Sequence, residues 1–216
     1  MSIRMKVWGD YACFTRPEMK SERVSYDVMT PSAARGIVES IFWHPGMKWM
    51  IDAIYVCKPI LFTNIRRNEV SEKISCNVVR SGAKSGKPLY LATPQCIQQR
   101  ATTALREVEY IIEAHFNITD KAAPGDNPGK FQEMFTRRLK KGQCYRQPVL
   151  GCREFTAFFS PCEEIPSCPQ ELKGTRDLGY MLYDLDYSDP ANIRPLYFRA
   201  VLVDGKLDLR EVEMKS

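Results

Sequence analysis

Alternating apolar and polar side chains recur in several stretches of the chain, and these stretches limit its fold more than any other feature of the sequence. The clearest is EVEYIIEAHFNIT, residues 107–119, where every second side chain is apolar, as in a strand with one buried face. Weaker forms of this pattern occupy residues 3–14, 47–60, 62–70 and 150–160. The chain is therefore predicted to build a β-sheet.

Two helix patterns separate these strands. Thr30 is a preferred N-cap and Pro31 suits the first helical position, so a helix is predicted to begin here and to end before Pro45. Its apolar stripe consists of Ala34, Ile37, Val38, Ile41 and, at the edge, Phe42. A second helix is predicted after residues 121–130, ending at Gly142, with an apolar stripe of Phe131, Met134 and Phe135.

The order of these elements predicts an α+β fold. Strand-helix-strand-strand, an insertion, and strand-helix-strand together make a ferredoxin-like (RRM-like) split βαβ plan. The turn-rich residues 71–103 are predicted to form the insertion, with weak strands. A ferredoxin-like RNA-binding domain is predicted for residues 1–160. A small antiparallel β domain is predicted for 161–216, with a hairpin turn at Asp204-Gly205.

The charge balance permits a polyanionic partner without requiring one. The net charge is +5 and the pI is about 8.7. No apolar run is long enough to span a bilayer, and the start MSIRMKVWGD lacks the apolar core of a signal peptide. A cytoplasmic protein with no membrane partner is expected.

The eight cysteines do not follow the spacing of a metal site. No C-x-x-C occurs, and His44 and His115 are the only histidines. The cysteines are predicted to be free thiols, and no metal or other cofactor is expected. The sequence GAKSGKP lacks the spacing of a phosphate-binding loop, and carboxylates are not gathered as a metal nuclease requires. A nuclease activity would therefore be metal-independent.

Basic and aromatic side chains lie close together in several segments. A ferredoxin-like sheet is a common platform for RNA, in which aromatic rings stack on bases and basic side chains hold phosphates. The spacing alone favours a solvent-exposed helix end for the charged run after Phe135, because cations in a last turn also suit the helix dipole. The candidate RNA-binding residues are Lys20, Arg23, Arg66, Arg67, Arg137, Arg138, Lys140, Lys141, Tyr145 and Arg146.

Several stretches together resemble one protein family. In chain order they are GDYACFTRPEMKSERVSYDVMTPSAARGI, IFWHP, IRRNEV, NPGKFQEMFTRRLKKGQCYRQPVLGCREF and DLGYML. Through nearly its whole length the sequence is similar to CRISPR-associated family 5 proteins of subtype I-C, the "d" variant. The first block and the RRLKKGQCYRQPVLGCREF block are long enough to be specific.

The resemblance implies a ferredoxin-like domain with a β-hairpin insertion, a small C-terminal sheet and two roles. The first is to cut precursor CRISPR RNA at the base of the repeat stem-loop, without metal, by attack of a 2′-hydroxyl on the adjacent phosphate. The second is to stay on the 5′ handle of the mature guide RNA, as a subunit of the interference complex beside its backbone and large subunits. Nonspecific binding of duplex DNA by the same basic surface is a third alternative.

The catalytic positions of the family are only partly retained. Relatives carry a tyrosine at the end of the first helix and a Lys-His pair before the second, and the matching positions here are Phe42, Lys130 and Phe131. Phenylalanine has no proton to exchange, so Phe42 and Phe131 are catalytic candidates by position only. His44 and Tyr26 are the proton-bearing groups that could substitute.

Three interpretations stay open from the sequence. Other residues, His44 or Tyr26, could supply the missing proton transfer. Orientation and charge from Lys130 could suffice for slow in-line cleavage. Cleavage could also be lost, which would leave a structural subunit that only binds the guide handle.

Overall fold

One long strand organises the computed structural model, which describes residues 2–19 and 21–215. The strands are β1 Ser2–Ala12, β2 Arg23–Val24, β3 Met47–Val56, β4 Phe62–Val70, β5 Ile97–Ile118, β6 Phe158–Pro161, β7 Thr175–Asp186, β8 Arg194–Val203 and β9 Lys206–Asp208. The helices are α1 Pro31–Ile41, α2 Cys76–Ser85 and α3 Pro128–Lys140. The fold is α+β, with a mostly antiparallel sheet.

The 22-residue strand β5 pairs with different neighbours along its length. Its first part pairs with β4, from Val70 opposite Ile97 to Phe62 opposite Leu105. Its second part lies between β1 and β3, antiparallel to both. Among the described residues the main path of the sheet is β6-β1-β5-β3-β9-β8-β7, and β2 adds a short parallel pairing to β5.

Both predicted helices form: α1 begins at its predicted cap, whereas α3 begins at Pro128, inside the predicted loop of residues 121–130. The Thr30 hydroxyl accepts the Ala33 N–H at 3.3 Å, and the Asn127 side chain accepts the Lys130 N–H at 2.9 Å. The apolar faces of α1 and α3 are buried against the sheet. Trp49 of β3 is fully buried and connects the sheet to both helices. Its ring lies 4.9 Å from the Phe135 ring of α3 between centroids, and its indole N–H donates to the Phe42 carbonyl at the end of α1 at 2.9 Å. The end of α1 is thereby fixed to the sheet beside α3.

The weak strands predicted for residues 71–103 are wrong for most of that range. A helix, α2, occupies its centre, with the Ser75 side chain as N-cap and Gly86 in the left-handed region at its C-terminus. None of the residues of α2 is buried, so the sequence carries no buried-face pattern to reveal it. Regular pairing resumes at Ile97, where β5 returns along β4.

Two other segments differ from the sequence predictions. The strand expected over residues 150–160 forms only as Phe158–Pro161. The chain turns before it, at Gly151, where φ is +86° and any side chain would clash with the Cys13 carbonyl. Arg23 and Val24, for which no strand was predicted, pair with β5.

The C-terminal strands continue the same sheet. β7 and β8 pair antiparallel, and the turn at Asp204-Gly205 connects β8 to β9, as predicted. β9 pairs with β3, so residues 175–208 extend the sheet beyond β3. The division into domains 1–160 and 161–216 stays a prediction. Within the residues described, none of the helices has the length and apolarity needed to cross a membrane.

Candidate active site and nucleic-acid interface

The end of α1 meets the start of α3, and this junction brings together four of the five candidate catalytic residues. The rings of Phe42 and Phe131 lie 6.0 Å apart between centroids, and the imidazole of His44 lies 5.0 Å from the Phe131 ring. Lys130 precedes Phe131 in the first turn of α3. Residues that are far apart in sequence therefore form one cluster.

The two phenylalanines are core residues. Phe42 is 3% exposed and Phe131 1% exposed, and the Phe131 ring also packs edge-on against Phe116 of β5. They form an apolar base beneath the half-exposed His44 side chain. Their contribution to the cluster is packing, because neither ring can exchange a proton.

Asp126, in the loop before α3, connects the two polar candidates. Its Oδ1 lies 2.8 Å from the Lys130 ammonium, and its Oδ2 lies 3.7 Å from Nδ1 of His44. The hydrogen bond from Lys130, together with one from the Ala123 N–H, holds the pKa of Asp126 below its usual range. The carboxylate is therefore charged at neutral pH.

The imidazole of His44 uses one ring nitrogen in a hydrogen bond with the backbone. Its Nδ1 accepts a hydrogen bond from the Gly46 N–H at 3.1 Å. Its Nε2 has no hydrogen-bond partner in residues 2–19 and 21–215. With 38% of the side chain exposed, the imidazole is accessible to a bound molecule.

Tyr26 makes its contacts elsewhere. Its side chain is 2% exposed, and its hydroxyl accepts the Leu182 N–H of β7 at 3.3 Å. The guanidinium of Arg16 lies 4.5 Å from the ring centre. Burial raises the pKa of this phenol. The structure thus places Tyr26 in the core, and no contact links it to His44 or Lys130 in the described part of the chain.

Basic residues of α3 and the loop after it border the cluster. Arg138 donates to the Ile41 carbonyl at 2.8 Å, and its guanidinium lies 5.2 Å from the Phe42 ring. The backbone N–H groups of Tyr145 and Arg146 both donate to the Ser40 carbonyl, which ties this loop to the end of α1. Tyr145 is 90% exposed despite this anchored backbone. The exposed cations beside them, without an ion-pair partner among the described residues, are Arg137, Lys140, Lys141 and Arg146.

The candidates on β2 and β4 are mostly engaged with carboxylates. Arg67 pairs with Glu154, and Arg23 lies 3.3 Å from both Glu154 and Glu69. Arg66 is exposed, because alternate residues of β4 face opposite sides. Lys20 lies outside the described residues. Arg66 is thus the candidate on β4 whose surroundings best fit a phosphate contact.

Sequence reasoning missed two residues at the cluster. Trp43, between Phe42 and His44, is 57% exposed, and an exposed tryptophan at a helix end was an available signal. Asp126 lies four residues before Lys130, which is the spacing of an ion pair, but nothing in the sequence indicates its contact with His44.

Groups of three or more metal-ligating side chains do not come together anywhere in residues 2–19 and 21–215. The cluster instead offers an ammonium, an imidazole and a carboxylate on an apolar base, bordered by cations and exposed aromatic rings. This combination suits a polyanion with unstacked bases, and it defines a candidate RNA-contacting surface with groups able to move a proton.

Comparison with known proteins identifies the family. A family model described as CRISPR-associated protein (Cas_Cas5) matches residues 2–210. The chain is 51% identical over 214 residues to the CRISPR pre-crRNA endoribonuclease Cas5d of Mannheimia succiniciproducens, covering 96% of this chain and 94% of that protein. It is 40% identical over 225 residues to the Cas5d of Thermus thermophilus of the same description, covering 96% and 90%. The chain belongs to the Cas5d family, which confirms the resemblance seen in the sequence.

Solved structures share the fold at lower identity. A functionally uncharacterized protein from Streptococcus mutans matches with a TM-score of 0.71 and 22% identity, over 100% of this chain and 97% of that one. A structure described as a CRISPR-associated protein matches with a TM-score of 0.69 and 21% identity over the same shares. Both likenesses extend over the whole fold rather than over one part of it.

Proposed function

We propose that this chain is an endoribonuclease that cleaves the repeat of precursor CRISPR RNA without a metal ion. The observation that carries the proposal is the junction of α1 and α3, where Lys130 and His44 lie on either side of one enclosed carboxylate. Family membership supports the substrate, because two Cas5d relatives that match nearly the whole chain are described as pre-crRNA endoribonucleases.

The proposed reaction is an in-line attack by the 2′-hydroxyl on the adjacent phosphate. Nε2 of His44 takes the 2′-hydroxyl proton as the new P–O bond forms. The Lys130 ammonium stabilises the negative charge on the pentavalent phosphate and gives a proton to the leaving 5′-oxygen. The products are a 2′,3′-cyclic phosphate and a free 5′-hydroxyl. Proton exchange with water then restores both side chains.

RNA is proposed to lie across the end of α3 and the loop after it. The cations there can hold phosphates: Arg137, Arg138, Lys140, Lys141 and Arg146. Trp43 and Tyr145 are exposed aromatic rings, and the Tyr145 backbone is bonded to the end of α1, so they can stack unpaired bases next to the cut. After cleavage the same surface would retain the 5′ handle of the guide RNA. The chain would then serve as a subunit of the interference complex, beside its backbone and large subunits.

We further propose that residues 1–160 form a ferredoxin-like unit with a hairpin insertion. The supporting observation is the strand order β6-β1-β5-β3, antiparallel throughout, with α1 after β1 and α3 after β5. This order supports a split βαβ pair. Strands β4 and β5 would supply the hairpin, and β7, β8 and β9 the small C-terminal sheet.

The second candidate function is a subunit that binds the guide handle without cutting it. The buried rings of Phe42 and Phe131 favour it, since they occupy the family's tyrosine and histidine positions. Incubation of the purified protein with repeat RNA in excess EDTA separates the two functions. One cut below the hairpin, ending in a 2′,3′-cyclic phosphate, supports the nuclease. RNA that is bound tightly but stays intact supports the structural subunit.

A further inference from the structure

The carboxylate of Asp126 is held in a fixed place between the two proposed catalytic groups. Its side chain is 3% exposed. Oδ2 accepts the Ala123 N–H at 2.9 Å, and Oδ1 accepts the Lys130 ammonium at 2.8 Å. Oδ2 also lies 3.7 Å from Nδ1 of His44, which is beyond hydrogen-bond range but close enough for an electrostatic interaction. An enclosed carboxylate with this set of neighbours can orient both groups.

The backbone around Asp126 is built against the backbone around His44. The Thr119 N–H donates to the Gly46 carbonyl at 3.0 Å, and its hydroxyl donates to the Pro45 carbonyl at 2.8 Å. A Cβ at Gly46 would come within 2.8 Å of the Ala122 backbone. The turn after α1 and the loop before α3 therefore approach so closely that only glycine fits at position 46. The backbones that carry Asp126 and His44 are therefore held together by tertiary structure, so only a small side-chain adjustment separates the 3.7 Å contact from a hydrogen bond.

Two neighbours of His44 favour different tautomers of its imidazole ring. The Gly46 N–H donates to Nδ1, which requires that the ring proton sit on Nε2. In that form Nε2 cannot accept a proton. A carboxylate facing Nδ1 favours the other form, with the proton on Nδ1 and a free lone pair on Nε2, because it can accept the Nδ1–H. The base in the proposed reaction needs this second form.

We propose that Asp126 is a positioning residue that selects the basic form of His44 and holds Lys130 beside it. The proposal rests on the proposed function. On RNA binding, the ring proton of His44 moves from Nε2 to Nδ1 by exchange with water, Nδ1 gives up the hydrogen bond from the Gly46 N–H, and the contact with Asp126 closes to a hydrogen bond. Nε2 then accepts the 2′-hydroxyl proton, and the resulting imidazolium faces the negative carboxylate. Such contacts are often long in a ligand-free protein and shorten in the reacting complex.

The test is Asp126→Asn, which keeps the shape of the side chain but removes its charge. The amide N–H of the variant can donate to Nδ1, which favours the tautomer of the imidazole with its proton on Nε2 rather than on Nδ1. We expect the single-turnover cleavage rate at saturating protein to fall on the order of 10²-fold, with RNA affinity within about twofold of wild type. Asp120→Asn, an exposed carboxylate in the same loop, is the matched control and should cleave at the wild-type rate.

A spectroscopic readout separates positioning from folding. The chain has two histidines, so ¹⁵N-histidine labelling gives two sets of ring signals, and His44→Ala identifies those of His44. Bound to repeat RNA with a 2′-deoxy residue at the cut, wild type should carry the His44 proton on Nδ1, and Asp126→Asn should carry it on Nε2. Equal forms in both proteins, or full cleavage by Asp126→Asn, would overturn the inference. A wild type that binds the unmodified repeat and leaves it intact would instead overturn the proposed nuclease.

Discussion

The guanidinium of Arg138 donates a hydrogen bond to the Ile41 carbonyl at 2.8 Å and lies 5.2 Å from the ring of Phe42. Arg138 thus caps the last turn of α1 from the last turn of α3, where carbonyls have no helical partner. The α1–α3 junction that carries the proposed site depends on this contact. Arg137, the adjacent residue in sequence, is exposed and makes no such bond within the described residues.

Arg138→Ala should destabilise the protein, and Arg137→Ala should not. Removing the charged donor to the Ile41 carbonyl is expected to lower the free energy of unfolding by about 1 kcal/mol. The matched Arg137→Ala change should stay within about 0.5 kcal/mol of wild type, as for most surface positions. Urea unfolding of both variants checks this, and equal stabilities would contradict a capping role for Arg138.

The exposed cations of α3 should set the salt dependence of RNA binding. Replacing Arg137 and Lys140 by alanine should weaken repeat-RNA binding. With fewer phosphates neutralised, RNA binding releases fewer counterions. The slope of log K against log salt should decrease by about 0.7 for each contact removed. Arg199→Ala is the control, since Arg199 pairs with Asp177 on the C-terminal strands. An unchanged slope in the double variant would return Arg137 and Lys140 to an ordinary solvent-facing role.

Trp43 should contribute to RNA affinity through stacking. Trp43→Ala is expected to weaken binding of repeat RNA by about 1–3 kcal/mol, the usual range for one base on an aromatic ring, while Trp43→Phe should keep most of the affinity. The comparison residue is Tyr90, which is 78% exposed beyond α2. If Tyr90→Ala lost as much affinity as Trp43→Ala, the effect would not be specific to the α1–α3 junction.

Two cysteines should differ sharply in reactivity at neutral pH. Hydrogen bonding from the Cys13 thiol, helped by Thr15 and by the charges of Arg23 and Arg67, lowers the pKa of Cys152 below its usual range. Burial raises the pKa of Cys57 to about 12. At pH 7 Cys152 therefore carries a larger thiolate fraction than Cys57, and the thiolate is the nucleophile.

Brief treatment with iodoacetamide, followed by peptide mass spectrometry, measures this difference. Labelling of Cys152 should exceed that of Cys57 at pH 7, and it should decline as the pH falls and the Cys152 thiolate becomes protonated. Equal labelling of the two partly buried cysteines, or a Cys152 rate that rises only above pH 8, would contradict the assigned hydrogen bonds.

The sequence predicted the elements whose signals are local. Thr30 and Pro31 mark the start of α1, and the Phe131 and Phe135 spacing marks the buried face of α3, because caps and periodicity act within a few residues. Helix α2 escaped prediction, since none of its residues is buried and no buried apolar face marks it in the sequence. Its caps, Ser75 and Gly86, also occur in ordinary turns.

The site was predictable only in part. Phe42, His44 and Lys130 were named from position, but their assembly depends on the packing of the 119–126 loop against the turn after α1. No spacing in the chain encodes that approach, so Asp126 was missed. The pairing of Arg23 and Arg67 with Glu154 likewise follows from the register of β4 and β2 on β5, which single-sequence patterns do not fix.

Cleavage by His44 and Lys130 variants tests the central claim most directly. Single-turnover cleavage of repeat RNA is measured in excess EDTA for wild type, Lys130→Ala, His44→Ala and His115→Ala, the last a control at the other histidine of the chain. We predict a 2′,3′-cyclic phosphate product from wild type and His115→Ala, and rates lower on the order of 10²-fold for the other two. Wild-type rates from both Lys130→Ala and His44→Ala would contradict the assignment of the active site to the α1–α3 junction.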